Sequence, residues 1–439
     1  GGPKSDCRKS GAGDLEVKDD AECIEAVKTY LSFFPSNCEE RPPVRETEVI
    51  SRVEASIAKI PPIAWHACPA GDGPADGGPE NPFVSHAFLD ALERSGSVGR
   101  KAGWLPQHLV IEDSAGAVLA AAPLYVKSHS QGEYVFDHGW AEAYDRAGGR
   151  YYPKLQVAAP FTPVPGPRLL VRAGRQEREA RAALISALIS AVENSGMSSL
   201  HVTFATRAES DLLEQVGFLT RLGVQYHWNN NGYGSFDDFL AALNSRKRKA
   251  VRKERAAVAD YGLDIRAYEG AELTTRHWDA FFAFYMDTGS RKWGRPYLNR
   301  DFFARIAESL RERIVLVLAE KDGHPVAGAL NLKGPQALYG RNWGCLQDYR
   351  FLHFELCYYR AIDYAIAHKL PRVEAGAQGE HKIQRGYLPA ETYSSHWIAD
   401  PRLKAAISDF LDRERAYIAQ EKAALDEMSP YRRDDQTRS

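Results

Sequence analysis

The sequence predicts an α/β (α+β) protein made of two tandem copies of one unit, each a mixed sheet flanked by helices. Three observations predict it: a motif that occurs twice in register, a β-hairpin upstream of each copy, and an amphipathic helix running into a short apolar strand between them.

The motif is the most specific of the three. Residues 215–228 read QVGFLTRLGVQYHW and residues 384–397 read QRGYLPAETYSSHW. Both follow Gln-x-Gly-aromatic-Leu and end on His-Trp without a gap, and self-similarity of this kind marks a repeated structural unit. Upstream, residues 108–127 and 313–333 each hold two short apolar runs around a turn, Asp113-Ser114-Ala115-Gly116 and Lys321-Asp322-Gly323-His324. That is hairpin chemistry. An aromatic strand is expected next, carrying His138-Gly139-Trp140 in the first copy and Asn342-Trp343-Gly344 in the second. Helical spacing then places Leu184, Leu188, Ala191 and Val192 on one face, and Leu352, Leu356, Tyr359, Ile362, Ile366 and Leu370 on another. Short strands at 200–204 and 372–376 follow. The stretch 245–255, SRKRKAVRKER, is expected within one helix opening at Ser235, with Asp238 as its capping partner and Leu240, Leu243, Val251 and Val258 facing inward. A charged helix from about Leu403 ends in a polar tail.

Composition narrows the function. Lys+Arg 56 against Asp+Glu 58 gives a net charge of −2, so a nucleic-acid contact must come from a local patch such as 245–255. No apolar run approaches the roughly 20 residues of a membrane span. The six cysteines form no C-x-x-C pair, and no zinc motif occurs, so neither a disulfide scaffold nor a metal is expected. The start has no apolar signal core, and a cytoplasmic location is the expectation.

The order strand, hairpin, strand, helix, strand, short helix, strand resembles a GNAT acyltransferase domain, and DLLEQVGF (211–218) resembles the short helix before that fold's last strands. Two such domains resemble the FemAB-like aminoacyl and peptidyl transferases and related bacterial tandem-GNAT enzymes. SHSQGEYVFDHGW (128–140) and GGRYYPKLQVAAPFTPVPGPRLL (148–170) resemble a FemAB-like N-acyltransferase family, and the likeness runs from about residue 48 to 400. Domains are thus expected at 45–232 and 233–400, with a helix and tail over 401–439. Residues 1–44 resemble a fragment of the carboxyltransferase β subunit of acyl-CoA carboxylases, on Gly1-Gly2, Cys7-Arg8-Lys9-Ser10-Gly11, Asp19-Asp20, Tyr30-Leu31 and Pro35-Ser36-Asn37. They read as a fusion remnant.

Acyl transfer to an amine needs a cradle for the donor's phosphates, a group to meet the oxyanion, and an acceptor for the ammonium proton. The resemblance implies Lys382, beside Arg385, Gly386 and Tyr387, as the cation facing the donor. Glu374 on the fifth strand of the second copy is a candidate proton acceptor, and equally a strand-edge charge. Asp137 and His138 lie in the most family-like stretch. Arg168 in the Pro-rich loop, with Arg341 and Asn342 on a strand, are donor-binding candidates; Arg291, Trp293 and Tyr297 suit an acceptor loop. The repeated His227-Trp228 and His396-Trp397 read as packing. Neither copy has the Gln/Arg-x-x-Gly-x-Gly/Ala run of acetyl-CoA binders, so the donor is either acyl-CoA (acetyl-CoA) or aminoacyl-tRNA. The acceptor would be a peptide or small-molecule amine, with a peptidoglycan precursor as the implied class. Arg246 to Arg255 is the expected tRNA contact, or a peripheral membrane contact. The rival readings are a catalytically silent peptidoglycan-peptide recognition protein and a carboxylase subunit fragment.

Overall fold

Apolar runs punctuated by Asp, Gly and Pro become the strands of the first half: β1 (Val49–Glu54), β2 (Trp104–Pro106), β3 (His108–Asp113), β4 (Val118–Ala122), β5 (Leu124–Lys127), β6 (Lys154–Val157), β7 (Leu170–Val171), β8 (Ser199–Ala205) and β9 (Leu219–Asn229). Its helices are α1 (Pro62–His66), α2 (His86–Arg94), α3 (His138–Arg146), α4 (Glu177–Ser195) and α5 (Arg207–Gln215). The second half opens with α6 (Phe236–Ala242) and α7 (Ser245–Ala259). It continues through β10 (Asp264–Glu269), α8 (Thr275–Lys292), α9 (Arg300–Ser309), β11 (Ile314–Lys321), β12 (His324–Lys333) and β13 (Ala337–Cys345). Then come α10 (Leu352–Phe354), a π turn (Glu355–Tyr359), α11 (Arg360–Ala367), β14 (Arg372–Glu374), β15 (Leu388–Ile398) and α12 (Pro401–Glu427). In this computed structural model the described residues are 49–68, 81–292, 296–377 and 379–432. The carboxyltransferase-like stretch 1–44, most of the Gly/Pro-rich loop 68–82, Trp293, the side chain of Arg291 and the end of the tail lie outside them.

The strands form a four-stranded sheet, β1-β3-β4-β7, and an eleven-stranded one, β10-β11-β12-β13-β14-β9-β15-β8-β6-β5-β2. In each half antiparallel strands end on one parallel pair reached through a helix, β6 with β8 and β13 with β14. Pro123 splits the outer part of the first half, so β4 stays with β7 in the small sheet while β5 pairs with β6. Both hairpin turns form as their sequence demands. Asp113 Oδ1 accepts from the Ala115 and Ala117 amides, and Asp322-Gly323 sits at φ 50° and 74°, where glycine carries no penalty.

The two copies of the motif become β9 and β15, which pair antiparallel at the centre of the large sheet. They exchange sides: β9, from the first half, borders β14, and β15, from the second, borders β8. Leu388 faces His227, Leu219 faces His396, and Gly223 faces Thr392 midway. Residues equivalent in the repeat are thus related by a pseudo-two-fold axis through Gly223 and Thr392. A Cβ on Gly223 would lie 2.7 Å from Thr392 Oγ1, so the approach there needs glycine.

Two sequence expectations change. The segment 138–140 is not a strand but opens α3, because Trp140, Ala141 and Tyr144 fall on one helical face and pack with α12. The basic helix is not continuous from Ser235: Ser235 caps α6 through the Asp238 amide, the chain breaks at Leu243, and Asn244 caps α7 through the Lys247 amide.

Candidate active site

Pairing between β13 and β14 stops at Tyr339 opposite Glu374. Beyond it β13 runs on to Cys345, while the other strand turns toward β9: the Ala375 amide donates to Tyr226 O (3.1 Å) and the Tyr226 amide to Gly376 O (3.2 Å). A wedge opens between them, and side-chain alternation gives it two faces. Leu338, Val373, Tyr226 and Trp228 point to the side of α11 and the π turn. Tyr339 points to the side of α8 and α9, together with Glu374 and His227, which stand opposite each other in register.

Lys382 lies on the π-turn side, 5% exposed, rather than in an open charged turn. Its Nζ donates to Ala375 O (2.5 Å) and Gly376 O (3.2 Å) and sits 5.6 Å from the Tyr226 ring centre. Burial pulls its pKa down to about 8. The neighbours expected to meet the donor are otherwise engaged. Arg385 donates to both oxygens of Glu254 (2.6 and 3.1 Å) and to His381 O (2.7 Å), with its guanidinium 3.5 Å from the Phe354 ring centre. Gly386, at φ 93°, closes a turn in which a Cβ would strike Phe239. Tyr387 is core, fully buried, its hydroxyl donating to Tyr358 O (3.2 Å). These three hold the turn that carries Lys382.

Glu374, on the other side, is 3% exposed. Its Oε1 accepts from Arg372 Nε and Nη2, each at 2.9 Å. Among the described residues its Oε2 has no hydrogen-bond partner and faces His227 Nε2, which also has none, at 3.8 Å. Burial raises the Glu374 pKa to about 7 against the pull of Arg372, and burial lowers that of His227 to about 3 with help from Arg372 and Lys382. Gln225, two residues before His227 on the same face, donates to Pro163 O (2.6 Å), and its Oε1 is unpartnered as well. His227 was legible only as packing, because nothing local in the chain signals that β14 sets Glu374 beside it.

Arg341 and Asn342 occupy a β-bulge. The register jumps from Leu330–Asn342 to Asn331–Gly340, leaving one extra residue on β13, and bulges redirect side chains in this way. Both line a narrow cleft of about 20 Å³ with Phe83, Phe88, Phe161 and Phe302. Tyr297 stacks on Phe161 beside it, ring centres 4.9 Å apart. Arg341, Asn342 and Tyr297 therefore meet on the Glu374 side, away from Lys382.

The equivalent wedge in the first half is filled by the chain itself. Past Val157 the segment 158–168 folds back so that the Gly166 amide donates to Phe204 O (3.0 Å). Arg168 is fully buried. It donates to Thr203 O (2.9 Å), Gly166 O (3.0 Å), Pro167 O (3.1 Å) and Val164 O (2.7 Å), so it pins the Pro-rich loop and has no arm left for phosphate. Asp137 and His138 part company. His138 is exposed, whereas Asp137 is buried under the Tyr151 hydroxyl (2.7 Å) and Lys154. Burial opposes the Asp137 carboxylate, yet Lys154 keeps its pKa below the usual range. Glu133 pairs with Lys154 (2.7 Å), and His201 Nδ1 lies 2.6 Å from His396 Nδ1 across the seam of β8 and β15. By register His201 and His396 are the first-half counterparts of Glu374 and His227. One pair is sealed; the other borders an open wedge.

Among the described residues no helix is long and apolar enough to cross a membrane. The chain is similar to FemX, which it matches at 12% identity over 82% of this chain and 100% of that one, with a TM-score of 0.50. It also resembles a tandem GNAT protein from the clavulanic acid biosynthesis pathway, at 13% identity over 81% of this chain and 99% of that one, with a TM-score of 0.44. At these identities the likeness to FemX is one of fold. A 62-residue stretch is 36% identical to the uncharacterized carboxylase YngE of Bacillus subtilis, but this chain spans only 12% of that relative's length. The FemAB_like family, described as peptidoglycan biosynthesis/recognition, matches residues 56–433, most of the chain. The protein belongs to the FemAB-like family.

Proposed function

We propose that this protein is an N-acyltransferase that moves an acyl or aminoacyl group directly onto an amine through the wedge between β13 and β14, with a peptidoglycan-precursor peptide as the acceptor class. The observation that carries the reading is the pairing of one buried cation and one carboxylate with a free oxygen, Glu374 Oε2, on opposite faces of the wedge. The donor carbonyl enters from the Lys382 side and the amine from the Glu374 side. The acceptor ammonium gives one proton to Glu374 Oε2. The free amine attacks the carbonyl carbon, Lys382 meets the oxyanion, and the carbon–oxygen or carbon–sulfur bond to the donor breaks. The nitrogen's second proton leaves with the departing group, so no covalent enzyme intermediate is needed.

The donor's phosphates are read onto α7. Glu254 and Arg255 face inward, to Arg385 and to Asp363 and Glu355, and hold the helix in place. Arg246, Lys249 and Lys253 are exposed at helical spacing on the other side. Such a stripe, about 10 Å long, spans more than one pyrophosphate, which favours aminoacyl-tRNA over acyl-CoA. Titration of the full chain with acetyl-CoA, and separately with alanyl-tRNA, tests the donor, followed by release of free CoA or tRNA in the presence of amines. Turnover that Lys382→Ala abolishes supports the reading. Tight peptide binding with no turnover of either donor would leave a recognition protein instead.

A further inference from the structure

Arg341 is enclosed differently from the other arginines around the wedge. Arg372, Arg385 and Arg255 each have a carboxylate, and Arg168 has all its nitrogens on carbonyls. Among the described residues Arg341 has one acceptor, Phe161 O, at 2.6 Å from Nη2. The groups that bear on its charge are the Tyr134 and Tyr285 phenols, not an acid, and burial lowers its pKa. Its guanidinium stands 5.3 Å from the Phe83 ring centre, at the wall of a cleft that is mostly aromatic and aliphatic, with Thr162 and Asn342 as its other polar side chains. Arg341 is half-buried, and a charge partly withdrawn from water is ordinarily paired, because desolvation without a partner is unfavourable. The bulge that turns Arg341 and Asn342 into the cleft, and the φ of 57° at Phe161, which brings that carbonyl onto the guanidinium, show a side chain held in place rather than one that drifts.

We infer that Arg341, with Asn342 beside it, is a preformed subsite for a carboxylate on the acceptor, the counter-ion that the described residues do not supply. The ligand class is an amine that also carries a carboxylate next to an apolar body, as an amino acid or short peptide does. The apolar lining favours a planar, singly charged carboxylate over phosphate, and Arg341 keeps two faces of its fork for it. Two steps along β13 and one strand spacing separate Arg341 from Glu374, about 8 Å at the backbone. The inference rests on the acceptor approaching from the Glu374 side. It reassigns Arg341 and Asn342 from the donor to the acceptor.

The test uses the full chain and thermal unfolding with propionate, its uncharged isostere propionamide, and inorganic phosphate, each at about 50 mM and equal ionic strength. Propionate is expected to raise the wild-type Tm by about 2 °C and propionamide not at all. Arg341→Met is expected to unfold no earlier than wild type without ligand and to lose the propionate response. Equal shifts in wild type and Arg341→Met, no propionate shift, or a larger phosphate shift would overturn the assignment. So would an early-unfolding Arg341→Met, which would make the side chain a strut for Phe161. Lys382→Ala separates this from the proposed activity: it should abolish transfer and keep the propionate shift, so either claim can fail without the other.

Discussion

Burial moves the two candidate groups of the wedge toward each other on the pH scale, and their order dictates a narrow pH optimum. Transfer needs Glu374 deprotonated, which holds above its pKa of about 7, and Lys382 protonated, which holds below about 8. At a pH of about 7.5 roughly 60% of molecules hold both groups in the required form, and at about pH 5.5 only about 3% do, so the rate should fall about 20-fold between them. The cause is the same on both limbs. Glu374 keeps its proton because Arg372 offsets only part of its desolvation, and Lys382 loses its own because two backbone carbonyls replace water without an anion. Single-turnover transfer measured from pH 5 to 9.5 reads the profile. Glu374→Gln should remove the acid limb along with most of the rate, and Lys382→Arg should push the alkaline limb out of range while keeping activity. A profile whose acid limb survives in Glu374→Gln would refute the assignment of that carboxylate as the proton acceptor.

Three further predictions concern the scaffold. Arg168→Met should cost about 3 to 5 kcal/mol in urea unfolding, since it removes the donor from four carbonyls, two in buried bonds and two in part-buried ones; a cost below about 1 kcal/mol would mean that the Pro-rich loop does not depend on it. Burial lowers the His396 pKa to about 3, so its contribution to stability is complete above the unfolded value near 6.5 and drains away as pH falls toward 3. Wild type should therefore lose about 2 kcal/mol more than His396→Gln between pH 6.5 and 4.5, read by chemical denaturation at each pH. Gly223→Ala should destabilise by about 1 to 3 kcal/mol, and Thr392→Ala in the same chain should recover much of it, because the clash lies between those two positions.

The repeat made the strand order within each half legible, because hairpin turns, helical spacing and the Gln-x-Gly-aromatic-Leu motif are local signals. The exchange of β9 and β15 was not legible, since a strand's own sequence does not name its neighbour. The site divides in the same way. The family resemblance pointed to Lys382 and strand position to Glu374, yet what distinguishes them, two carbonyls under Nζ and an Oε2 without a hydrogen bond, comes from chain segments that meet only on folding. Arg168 misled for a physical reason. A loop with Pro160, Pro163, Pro165 and Pro167 is short of N–H groups and rich in free carbonyls, so its arginine is drawn to the loop itself rather than to a phosphate. Asp137 misled because a buried ion pair with Lys154 and a catalytic carboxylate look alike in one dimension.

The pseudo-two-fold axis through Gly223 and Thr392 bears on ancestry. Two separate copies of one half, meeting about such an axis, would form the same central strand pair and each would complete the other's sheet. Joining their genes end to end would require only the short stretch from Asn230 to Gly234. The gain would be entropic, since a tether replaces a bimolecular encounter. Once joined, the copies were free to diverge. One wedge could be plugged by its own prolines and its histidine pair buried, while the other kept a carboxylate and an opening. Asymmetry of chemistry on a symmetric frame is what a fused dimer permits and a true dimer forbids.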